Sequence, residues 1–174
     1  MADRRTLEFN GNRFESAVCR YLISKYPDAY LLTDIGIFSS FLDKMTQIDI
    51  IMIHPRGVFV IEAKGWRKWI RGEYDDKMWS GQSSGVNIMT VYSPVHQNVI
   101  HIRSLRNAIR EQLGVNPVTF HNIVVLPDGA DLQTQCSEVT NLSLLRMIVD
   151  RHILAQEYEI NPVEYKEIIE QVAV

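Results

Sequence analysis

Residues 47–64 read QIDIIMIHPRGVFVIEAK, two short apolar runs on either side of the turn His54-Pro55-Arg56-Gly57, and this pattern predicts a β-hairpin. Each run carries a carboxylate that a buried strand has no reason to contain: Asp49 near the start of the first, Glu62 near the end of the second. Lys64 follows Glu62 by two residues and shares its face, because side chains alternate along a strand. In an antiparallel pair the start of one strand lies beside the end of the next. Asp49, Glu62 and Lys64 are therefore expected to meet at the open end of the hairpin. Removing such ions from water costs several kcal/mol each unless they pair or coordinate a metal. A structural ion pair at a frayed hairpin end satisfies that requirement, and so does a metal site.

The rest of the chain supplies a frame for this stretch. Residues 14–26 place Phe14, Ala17, Val18, Tyr21 and Leu22 at helical spacing, with Asn10 and Asn12 as available caps. Glu15 borders that stripe, either as a first-turn acid favoured by the helix dipole or as a carboxylate delivered to the edge of the core. A strand is expected over 30–35 and a loop over 36–44, ahead of the hairpin. After it, residues 65–72 mix two indoles with three cations and predict a turn and a further strand. Trp66, Arg67, Lys68 and Arg71 suit a phosphate backbone flanked by stacked bases, although tryptophan is as readily a core residue.

Residues 75–92 show no clean period and predict a loop with one strand around 87–91. Ser93-Pro94 opens a long helix that Gly114 ends, with Val95, Val99, Ile102, Leu105, Ile109 and Leu113 as its apolar stripe. Gln97 and His101 share a different face of it. The run His121 to Leu126 is nearly all apolar, as expected of a parallel strand reached by a crossover. Asn141 is expected to cap a helix running to about 154, and Asn161-Pro162 to open a last one.

A chain of 174 residues, 46% apolar and 22% charged, falls in the globular class and is predicted to form one domain. No apolar run approaches the length of a membrane span, and the start of the chain lacks the apolar core of a secretory signal, so the expected location is cytoplasmic. Cys19 and Cys136 are too few for a disulfide framework or a zinc site and read as structural. A net charge of −3 requires any nucleic-acid surface to be a local patch. His54, His96, His101 and His121 show no converging metal spacing and read as surface or packing residues.

Asp49 followed by Glu62-Ala63-Lys64, within the order helix, strand, hairpin, third strand, helix, strand, resembles the PD-(D/E)xK nuclease superfamily. More closely the chain is similar to the nuclease-related domain (NERD) family. The matching stretches are Gly11 with Glu15, Thr46 to Asp49, Gly57 to Gly65, Trp79, and Ser93-Pro94-Val95-His96-Gln97. The resemblance implies an α/β, restriction-endonuclease-like core of αβββαβ order over about 10–126, a mixed sheet flanked by helices, with a helical extension over about 139–174.

It further implies a Mg²⁺- or Mn²⁺-dependent nuclease acting on DNA. Asp49 and Glu62 would be metal ligands together with the Ala63 carbonyl, Lys64 the catalytic lysine, Glu15 an additional acid and Gln97 a polar residue from the later helix. Two positions depart from the family pattern: Ser93 stands where Asn is usual, and Phe14 where Gly commonly precedes the helix glutamate. A homodimer would place two sites for cutting both strands. The other readings are a nucleic-acid-binding module that uses the same cleft without catalysis, and an interaction domain whose charges form only an ion-pair network.

Overall fold

The computed structural model describes residues 13–174. The expected caps Asn10 and Asn12, and Gly11 of the family pattern, lie outside these residues. Helix α1 (Arg13–Lys25) buries Val18, Cys19 and Leu22. Strands β1 (Tyr30–Ser39), β2 (Lys44–His54) and β3 (Gly57–Ala63) then form an antiparallel meander. Both strands of the β1–β2 pair run further than the sequence suggested. Gly36 to Ser39, expected in a loop, pair with Lys44 to Gln47, and fully buried Ile37 gives that extension a place in the core.

After β3 the chain leaves the first sheet. Strands β4 (Trp69–Arg71), β5 (Met78–Gln82) and β6 (Met89–Tyr92) build a second, smaller sheet, completed by β8 (Asp131–Gln133) in the order β6-β5-β4-β8. The strand expected over 65–72 therefore exists but belongs to this second sheet, and β5 arises where only a loop was expected. Two glycines explain how such a glycine- and serine-rich segment packs. A Cβ on Gly81 would stand 1.9 Å from the Trp66 ring, and one on Gly72 would stand 2.3 Å from Trp79. Each indole lies directly on glycine backbone, a contact that any larger residue would block.

Helix α2 (Pro94–Leu113) is the crossover that returns the chain to the first sheet. It begins where expected, the Ser93 hydroxyl accepting from the His96 N–H at 3.3 Å, and ends at Gly114 in the left-handed region (φ 65°). Strand β7 (Phe120–Leu126) pairs parallel with β3, and β9 (Val139–Asn141) pairs parallel with β7, giving the order β1-β2-β3-β7-β9. A short 3₁₀ turn (Leu142–Leu144) leads into α3 (Leu145–Ala155), and α4 (Pro162–Val172) follows.

Asn141 does not cap α3: its amide donates to the Pro127 and Ala130 carbonyls and braces the turn after β7. Asn161 does cap α4, accepting from the Val163 and Glu164 N–H groups. Helices α2 and α4 cover one face of the first sheet over Ile51, Ile53, Val58 and Val60. Helices α1 and α3 cover the other over Ile50, Met52, Phe59 and Ile61. Covered on both faces, β3 is buried along its whole length, as a central strand of a mixed α/β sheet should be.

The apolar stripe read from the sequence packs on the core at Val95, Ile102, Leu105, Ile109 and Leu113, but not at Val99, and polar residues extend the buried face. Val99 is 40% exposed, while Asn98, His101 and Ser104 are buried. Two of these polar residues have their hydrogen bonds satisfied. The Asn98 amide donates to the Val60 carbonyl at 2.7 Å and the Ile123 carbonyl at 3.2 Å, tying the helix to β3 and β7. The Ser104 hydroxyl donates to the Ile100 carbonyl one turn back.

Candidate active site

Strand β3 carries Glu62 into the core at 2% exposure, on the face that Val60 and Val58 present to α2. Lys64, two residues on, turns its ammonium to the Glu62 carboxylate at 2.6 Å. From α2, Gln97 accepts from the same ammonium through Oε1 at 3.1 Å. Asp49 approaches from β2, and its Oδ2 accepts from the Ala63 N–H at 2.9 Å. The register supports this meeting: Ile50 pairs with Ile61, so the next step along the ladder brings Asp49 to Glu62. Asp49, Glu62, Lys64 and Gln97 thus converge at the open end of the hairpin.

Glu62 is held from one side only. Its Oε1 takes the lysine, while Oε2 has no hydrogen-bond partner and stands 3.7 Å from His101 Nδ1, itself buried and unpartnered. Burial lowers His101 to about 4, and the Lys64 charge pushes the same way. At neutral pH the imidazole is therefore uncharged and closes the site without a second positive charge. Read as a surface or packing residue, His101 is instead an interior neighbour of the central carboxylate.

Both acids are pushed toward their protonated forms. Asp49 rises to about 6, chiefly through burial and then through the Glu62 charge, against the Ala63 N–H and Lys64. Glu62 rises through burial, with Lys64 opposing the shift and Glu15 adding to it. Glu15, on the first turn of α1, thus acts electrostatically on the site. Two buried carboxylates facing one ammonium leave a net negative charge, which favours a cation.

A fourth acid went unnoticed in the sequence. Asp34 of β1 has a positive φ of 60° and lies opposite Asp49, between the pairs Thr33–Ile50 and Ile35–Ile48. Its carboxylate accepts from the Gln47 amide, and its charge contributes to the shift of Asp49. The side-chain alternation slips here, since Ile48 and Ile50, two residues apart, pack on opposite faces of the sheet. Only the local backbone, which sequence periodicity does not reveal, distinguishes Asp34 from other strand acids.

The four residues after the hairpin with an expected nucleic-acid role have different surroundings. Trp66 is 9% exposed and packs with Ile70 and Trp79. Arg67 is exposed and lines a groove described below. Lys68 donates to the Gly85 carbonyl at 2.6 Å, and Arg71 Nε donates to Gln133 Oε1 at 2.9 Å. Among the described residues no cluster of three or more His, Cys, Asp or Glu side chains forms a metal cage.

The model of the family described as the nuclease-related domain matches residues 10–127. The chain belongs to that family. The NERD match runs from the start of α1 through β7 and so takes in every residue of the converging set. A protein of Bacillus anthracis, described as uncharacterized, is 32% identical over 116 residues, 66% of this chain and 54% of that protein. The NERD chain thus spans about half the length of this relative. No solved structure matches it. Among the described residues, no helix is long and apolar enough to cross a membrane.

Proposed function

We propose that this NERD protein is a divalent-cation-dependent nuclease that hydrolyses phosphodiester bonds in DNA. The observation that carries the reading is Glu62: a carboxylate at 2% exposure, paired with Lys64 on one oxygen and without a partner on the other. The donor set fits Mg²⁺ or Mn²⁺, hard cations that prefer oxygen, keep several waters, and need only one or two carboxylates from the protein. Asp49, Glu62 and the Ala63 carbonyl would hold the ion. When bound, it would supply Lewis-acid stabilisation of the phosphate and lower the pKa of a coordinated water.

The chain's own residues have separate tasks. Lys64 balances the Glu62 charge before substrate arrives, and its ammonium can then face the phosphate and the attacking water. Gln97 fixes the position of that ammonium through the hydrogen bond at 3.1 Å. The Ala63 N–H aims the Asp49 carboxylate, and neutral His101 keeps water away from the far side of Glu62.

The test is cleavage of single-stranded, duplex and branched DNA with Mg²⁺, with Mn²⁺ and with chelator, by the parent and by Glu62→Ala and Lys64→Ala. Metal-dependent products that fall by at least about a hundredfold in both variants are expected, the scale of losing a preorganised charge at a reacting centre. Products that persist in both would place the chemistry elsewhere. Salt-sensitive DNA binding without any product, weakened by Arg67→Glu, would favour the non-catalytic binding module.

A further inference from the structure

A groove adjoins the carboxylate site, lined in part by Gly65, the residue next to Lys64. It has a volume of about 610 Å³ and lies between the first turn of α1, the chain leaving β3 and the turn after β7. A Cβ on Gly65 would touch Phe14 at 3.8 Å. Its lining joins the apolar Phe14, Ala17, Trp66 and Pro127 to the cations Arg13 and Arg67. Asp128, the acid of the lining, is engaged by the Ser143 N–H at 2.8 Å.

Such a mixture is not needed to hold a duplex. A double helix keeps its bases stacked and paired and turns phosphates outward, so an apolar lining would gain nothing from it. A splayed nucleotide offers both a flat apolar face and a phosphate, the two features that grooves for single strands combine. The volume is within the range of small-ligand sites, roughly 300–1,000 Å³.

We propose that this groove takes one unpaired nucleotide of a single strand, its base against Phe14, Ala17 and Pro127 and its phosphates between Arg13 and Arg67, so that the next phosphate along reaches Lys64. The assignment rests on the nuclease reading for the place of that next phosphate, and it names the substrate class: single strands or unpaired ends. DNA and RNA share this chemistry and are separated in the test.

The experiment measures fluorescence anisotropy of labelled oligo(dT), oligo(U) and a blunt duplex with the full chain, divalent ions chelated. Oligo(dT) is expected to bind more tightly than duplex. Arg67→Glu and Ala17→Trp should each weaken that binding roughly tenfold, about the weight of one stacked base, and leave duplex binding unchanged. Oligo(U) bound as tightly as oligo(dT) would support recognition of base and phosphate alone, and weaker binding would narrow the ligand to DNA. Duplex bound as tightly as single strand, or oligo(dT) affinity unchanged in both variants, would overturn the proposal. Metal-dependent duplex cleavage with no single-strand preference would remove the groove and leave the nuclease. Single-strand binding lost in Arg67→Glu, with no cleavage under any metal, would do the reverse.

Discussion

At the scale of single residues, Lys64 is the counterweight of a buried acid, and its removal should be felt in stability as well as in activity. Lys64→Met is expected to cost about 2 kcal/mol in urea unfolding, less than the roughly 3–5 kcal/mol of a fully enclosed pair because the lysine side chain is 23% exposed. The cost should grow as pH rises above the ordinary glutamate range, because Glu62, already raised by burial, must ionise without a partner. Glu62→Gln in the same background should recover most of it. A second residue-scale prediction concerns His121, stacked on His152 at 4.2 Å and lowered to about 4 by burial and by that neighbour. The folded state binds fewer protons than the unfolded chain between about pH 4 and 6.5, so this group's contribution is present above 6.5 and lost as pH falls toward 4. His121→Phe should therefore flatten the acid decline of the urea midpoint, and an unchanged decline would assign it to other groups.

Elements show why part of the design was legible and part was not. The hairpin announced itself because its pattern is local: apolar runs, a Pro-Arg-Gly turn, and two carboxylates where none belongs. Helix α2 was legible in its ends, which depend on Ser93, Pro94 and Gly114, and in most of its apolar stripe, but not in the polar residues buried beside that stripe. Asn98 is buried through carbonyl partners on β3 and β7, and His101 against Glu62, neighbours that only tertiary structure supplies, so a reading of apolar residues passes over them. Asn98→Leu should cost about 1–3 kcal/mol, since the Val60 and Ile123 carbonyls lose a donor. The second sheet was the least legible because its stability comes from indoles lying on glycines, a feature without period. Gly81→Ala is expected to destabilise by about 1–3 kcal/mol through overpacking against Trp66, read as a drop in melting temperature. Gly85→Ala, in open space but at φ 71°, separates backbone strain from that clash.

For the molecule as a whole, the first sheet should be the last part to open. Strands β3 and β7 are buried side by side, and their amides, including Lys64 N–H on the Val125 carbonyl, should exchange with solvent only through global unfolding. Edge strand β6, largely exposed, should exchange far sooner, and equal protection of the two would contradict this division. The parallel pairing of Glu62 with Val124 joins positions 62 residues apart in the chain. Closing so long a loop costs entropy before any contact repays it, which makes the sheet centre a slow, non-local step in folding. Asp49 and Glu62 meet early, in a hairpin; Gln97 and His101 arrive only when the crossover docks. The full constellation of Asp49, Glu62, Lys64 and Gln97 would thus be absent from partly folded chains, and the proposed competence would appear only with the native topology.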